Sequence, residues 1–127
     1  MSHLSESDKN RVKTFLDRAK ALFPTGQYTF AMSEKNRALD DEFNLRDQEK
    51  VAILKSLTVE DCVEIRQNDN IRYPDADIFI FEKQLNLESY GEEFPVTLYI
   101  KDYIAMMKSN MEMVVVISFH REGMHDM

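Results

Sequence analysis

Near the C-terminal end of the chain a histidine, a tyrosine and several cations fall in or beside runs that read as β-strands and converge on the expected sheet's edge: Tyr99, Lys101, Ser118, His120 and Arg121, with Lys83 and Arg66 further upstream. A histidine exchanges protons near neutral pH, and lysine or arginine supplies fixed positive charge. Together these types are the parts that cleavage of a ribose-phosphate linkage needs. A base takes the 2′-hydroxyl proton, an acid protonates the leaving 5′-oxygen, and cations hold the phosphate as charge develops. Lysines and tyrosines of this kind also serve simply to solvate an exposed sheet face.

Other chemistries lack their motifs. The sequence contains no G-x-G-x-x-G, no Walker A sequence, no C-x-x-C and no G-x-S-x-G, and it has only three glycines for a phosphate-cradling loop. His120 and His125 are five residues apart, which misses the i, i+4 helical spacing of zinc proteases, so no metal is expected. The single cysteine, Cys62, has Glu60, Asp61 and Glu64 for neighbours, which raise a thiol pKa, so it reads as structural and as compatible with a reducing compartment.

The elements that must position these residues follow from periodicity. Val12, Phe15, Leu16, Ala19 and Leu22 line one face of a helix over Ser5 to Phe23, capped by Ser5 or Ser7 and ended by Pro24 and Gly26. Alternation predicts a short strand over Gln27 to Met32, and Leu39 with Phe43 predicts a helical turn over Arg37 to Phe43. A second helix is expected from Leu45 to Leu57 with Asn44 as N-cap, then a turn opened by Thr58, and a loop from Gln67 to Asp77. Three β-rich runs come next: Ile78 to Leu85, Val96 to Ile104 and Met113 to His120, joined by hairpin connections over Asn86 to Pro95 and Lys108 to Glu112.

Strict alternation puts Thr97, Tyr99, Lys101 and Tyr103 opposite Val96, Leu98 and Ile100. In the last run it sets Met113, Val115, Ile117 and Phe119 against Val114, Val116, Ser118 and His120. The expected fold is therefore α+β, one domain over residues 1–127, with N-terminal helices packed on a small C-terminal antiparallel sheet. No apolar run approaches the roughly 20 residues of a spanning helix, and the N-terminus has no signal-peptide pattern, so a cytoplasmic protein without a membrane partner is expected. The net charge of -7 opposes non-specific attraction to nucleic acid and suits a basic partner or plain solubility.

Five segments together carry a family resemblance: Asn36-Arg-Ala-Leu39, Ser56-Leu-Thr-Val-Glu-Asp61, Ile78-Phe-Ile-Phe-Glu-Lys83, Leu98-Tyr-Ile-Lys101 and Val116-Ile-Ser-Phe-His120. In order and spacing, from Asn36 to Arg121, they resemble the MqsR family of toxins from bacterial type II toxin–antitoxin modules, within the wider RelE-like group. The resemblance implies a RelE-like fold, cleavage of mRNA without a metal or other cofactor, and a cognate antitoxin as partner. It matches Tyr99 to the family's strand tyrosine and puts His120 where the best-known members carry a catalytic lysine. Two positions depart from the pattern: Glu64 stands for a lysine and Ile80 for a glutamine. Taken with the residue types above, the expected catalytic set is His120, Tyr99 and Lys101, with Arg121, Lys83 and Arg66 on RNA phosphates. A catalytically silent protein on the same fold, binding a basic partner, is the alternative.

Overall fold

A computed structural model describes residues 4–68, 70, 72–73 and 75–122. The tail that holds His125 lies outside the described residues, as do residues 69, 71 and 74 of the expected loop. Helix α1 spans Glu6–Leu22. Ser5 Oγ accepts a hydrogen bond from the Asp8 amide at 3.1 Å, and Glu6 and Asp8 sit at the positive end of the helix dipole. The predicted apolar face is the buried one, and Phe15 stacks on Phe79 of the sheet at 4.2 Å between ring centroids.

After a 3-10 turn at Phe23–Thr25 and a left-handed Gly26 come strand β1 (Tyr28–Phe30), helix α2 (Glu34–Phe43) and helix α3 (Asp47–Lys55). Helix α2 is longer than the expected turn because Ser33 caps it, its hydroxyl accepting from the Asn36 amide at 3.2 Å. Asn44, expected to open α3, instead closes α2 in the left-handed conformation at φ 51°, a geometry asparagine tolerates. The start of α3 is held by Glu49, whose Oε1 accepts from the Arg46 amide at 3.1 Å.

The sheet corrects the sequence expectation. It is neither small, nor wholly C-terminal, nor wholly antiparallel. Among the described residues five strands lie in the order β1-β5-β4-β3-β2, where β2 is Cys62–Arg66, β3 Ile78–Ser89, β4 Glu92–Met106 and β5 Glu112–Arg121. β1 runs parallel to β5, with Tyr28 opposite Val114, and the other neighbours are antiparallel. The α+β class stands, but both edge strands come from ahead of the loop, which overturns the small RelE-like antiparallel sheet. Residues 86–95, expected as a connection, are themselves paired up to Ser89 and Glu92. They turn through Tyr90 and Gly91 at φ 52° and 81°, the two positive φ values of a type I′ hairpin.

One face of the sheet receives the helices. Phe79, Phe81, Leu98, Ile100, Val114, Val116 and Phe119 meet Val12, Phe15, Leu16, Leu39, Phe43 and Leu54 in a single core. The opposite face carries a smaller cluster, Ile78, Ile80, Tyr103 and Ala105, with Tyr73, Ala76, Tyr99, Val115 and Ile117 packed against it. A β-bulge decides which β5 residue goes where. Lys101 faces Ser118 but Asp102 faces Val116, so Ile117 is the extra residue. Alternation past it is reversed. Phe119 joins Val114 and Val116 in the core, and Ser118 and His120 join Met113 and Val115 on the opposite face.

Candidate functional site

On that opposite face two rows cross the sheet. Glu82, Tyr99 and His120 are Cα partners in one, and Glu64, Ile80, Lys101 and Ser118 in the next. Residues directly opposite have Cβ atoms roughly 4.5–5.5 Å apart, and same-face neighbours along a strand are about two residue rises apart. Tyr99, Lys101, Ser118 and His120 therefore form a compact quartet on β4 and β5. The rings of Tyr99 and His120 stack at 5.5 Å between centroids with 27° between planes.

His120 is 7% exposed, held between the tyrosine ring and its own strand. Its Nδ1 lies 2.8 Å from the backbone oxygen of Arg121. A carbonyl oxygen only accepts, so Nδ1 carries a proton and donates it, and in the neutral ring Nε2 is the basic atom.

Lys101 is half-buried and lies in the row of Glu64, whose carboxyl is held below the usual carboxylate range first by its hydrogen bond from Arg66 and further by the charge of Lys101. Arg66 Nε lies 2.6 Å from Glu64 Oε2, on edge strand β2, which β3 and β4 separate from β5. The bulge and the pairing send the other two predicted phosphate contacts elsewhere. Arg121 pairs in register with Leu98, places Nη2 2.9 Å from Glu42 Oε2 on α2, and lays its guanidinium over the Phe43 ring at 5.3 Å. Lys83, also opposite Leu98, lies 3.3 Å from Asp61 Oδ2. Of the six residues predicted from sequence, three come together, Arg66 shares their face at a distance, and Lys83 and Arg121 point into the helical layer.

Asn36 was missed as a positioning residue. Its Nδ2 donates to the backbone oxygens of Ala31 at 2.8 Å and Ile117 at 3.0 Å, and its Oδ1 accepts from the Phe119 amide at 2.9 Å. One buried amide thus replaces a neighbouring strand where β1 ends, and fixes the bulge that turns His120 toward Tyr99. Asn36 opens the first of the five motif segments, which is the signal that could have singled it out. Glu82, not singled out from the sequence, stands directly across from Tyr99 and sets a carboxylate beside the quartet.

Cys62 is fully buried, and burial pushes its thiol up to about 11, with the charge of Asp102 a smaller contribution. The acidic sequence neighbours named for that shift are not its main cause. A thiol so placed is no nucleophile.

No family model matches the chain, no curated protein matches it, and no solved structure matches it. Among the described residues no helix is long and apolar enough to cross a membrane. No group of three or more His, Cys, Asp or Glu among them is arranged to hold a metal ion.

Proposed function

We propose that this chain is an MqsR-like toxin of the cytoplasm, a metal-independent endoribonuclease that cleaves mRNA and is restrained by a cognate antitoxin. The single observation that carries this is the Tyr99–His120 stack with Lys101 in the adjoining row. With Nδ1 committed to the Arg121 carbonyl, Nε2 of His120 accepts the ribose 2′-hydroxyl proton. The 2′-oxygen attacks phosphorus, forming one P–O bond as the bond to the 5′-oxygen breaks, and leaves a 2′,3′-cyclic phosphate. The departing oxygen takes a proton from the Tyr99 hydroxyl or from the imidazolium. Lys101 offsets the charge that builds on the non-bridging oxygens.

A second proposal, a catalytically silent protein that binds a basic partner, is favoured by one specific observation. Glu82 and Glu64 occupy the same two rows as the quartet, and Lys83 and Arg121 are engaged with Asp61 and Glu42. Expression of wild type and of His120→Ala in a growing host separates the two. The nuclease predicts growth arrest and mRNA fragmentation with wild type alone; equal growth and intact mRNA in both cultures eliminates it.

A further inference from the structure

Away from the quartet, at the end of the sheet where β5 begins, lies a cleft of about 740 Å³ between α1 and the strands. Glu112 lines it, and Glu112 is eight residues from His120, roughly 26 Å along the strand at ~3.3 Å per residue. The cleft has the size of small-molecule sites, which run to about 300–1,000 Å³, and combines an apolar floor with a polar rim in which Asp75, Asp77 and Glu112 stand among the arginines. Phe15, Phe79 and Met106 form the floor, and Tyr73, held against Tyr103 at 6.0 Å, stands at the wall. Arg11, Arg18 and Arg72 stand around it. Three of the seven arginines in a chain of net charge -7 thus gather at one aromatic cleft.

We propose that this cleft binds an aromatic phosphate monoester, the ring on the Phe15–Phe79 floor and the phosphate between Arg11 and Arg18. Both guanidiniums already hold carboxylates there. Arg11 Nη2 pairs with Asp77 and its Nη1 with Asp8, and Arg18 Nη2 pairs with Glu112. The side chains of Asp77 and Glu112 are 38% and 31% exposed, so they return to water at little cost when displaced, because exposed ion pairs are weak. A phosphate monoester brings up to two charges and three oxygens against the one charge of each carboxylate. Its three oxygens can accept from more than one guanidinium, whereas Asp77 and Glu112 each pair with one. Covering Met106 and the edges that Phe15 and Phe79 leave open to the cleft adds apolar contact that the internal carboxylates lack. The cleft is remote from His120, so the proposal stands or falls independently of the nuclease.

Titration of the whole chain with adenosine 5′-monophosphate at low salt, followed by calorimetry and by NMR of the aromatic side chains, tests it. Saturable binding is expected, with shifts centred on Phe15 and Phe79. The Arg11→Gln/Arg18→Gln variant should weaken it by at least about tenfold, and adenosine or inorganic phosphate alone should bind at least about tenfold more weakly. Failure to saturate overturns the site. Unchanged affinity in a folded variant overturns the role of the arginines, and equal binding of inorganic phosphate overturns the aromatic floor. Should the variant not fold, the wild-type shifts decide: changes centred on Tyr99 and His120 instead of Phe15 and Phe79 refute the assignment.

Discussion

Replacing Asp102 by valine should make the protein more stable at neutral pH. Asp102 lies on the helix face of β4, between Phe79 and Val116 in register, and is 2% exposed. Its Oδ1 has no hydrogen-bond partner among the described residues. Burial raises its pKa well above the ordinary aspartate value of 3.8. In the unfolded chain the carboxyl releases its proton near pH ~3.9, whereas the native state keeps it to a higher pH. Below that lower value both states are protonated and the wild type has its full stability. As pH rises toward the native pKa the unfolded state alone is ionised, and stability falls by up to about 1.4 kcal/mol per pH unit. Valine has no proton to release, suits a strand, and removes the unpartnered oxygen. The expected gain is about 1–3 kcal/mol near pH ~4, from the cost of a buried unsatisfied polar group, and grows from there as pH rises, each kcal/mol being worth roughly 3–5 °C in Tm. Urea denaturation of both proteins from about pH 4 to pH 7 measures it. A variant less stable than wild type at neutral pH, or a gain that does not grow with pH, refutes the reasoning.

Other consequences are as direct. Asn36→Ala strands the Ala31 and Ile117 carbonyls and the Phe119 amide, and should cost about 2–4 kcal/mol in chemical denaturation. Lys50 is buried, 2.9 Å from Asp40 and 4.2 Å above the Phe30 ring. Lys50→Ala should therefore cost about 3–5 kcal/mol by leaving a carboxylate unpaired, and the Lys50→Met/Asp40→Leu pair should recover most of that in the same assay. Tyr90 holds a left-handed conformation at the hairpin tip with its side chain fully in solvent. Tyr90→Asn should raise stability by about 0.5–1 kcal/mol, seen as a higher melting temperature.

Much of the molecule was legible where the determinants are local. The α1 cap, its apolar stripe and its glycine stop all sit within one stretch of chain, and the β-branched runs mark the centres of β3, β4 and β5. Tyr99 and Lys101 share a face by alternation alone. What was not legible depends on residues far apart in sequence. β1 was expected as a strand from its alternation, but its parallel place beside β5 was not, and β2 gains its meaning only from β3. Asn86, Glu92, Glu93 and Pro95 have the composition of a connection. At Pro95, β4 has run past Leu98, the partner of Arg121, and no paired neighbour on that side lies among the described residues, so a residue without an amide proton is tolerated. The bulge at Ile117 mattered most for the site. Strict period-two spacing would put His120 with Val114 and Val116 against the helices, and only the extra residue, pinned by Asn36, brings it to Tyr99. The carboxylates that engage Lys83 and Arg121 come from Asp61 and Glu42, which no local spacing connects to them.

The nuclease account is tested most directly by incubating the purified chain with a single-stranded RNA in the presence of a chelator and analysing the new ends. It predicts fragments ending in 2′,3′-cyclic phosphate from wild type, a rate reduced by at least about a hundredfold in His120→Ala, and a smaller loss in Tyr99→Phe. RNA left intact by wild type, or cleaved equally by wild type and His120→Ala, would contradict it.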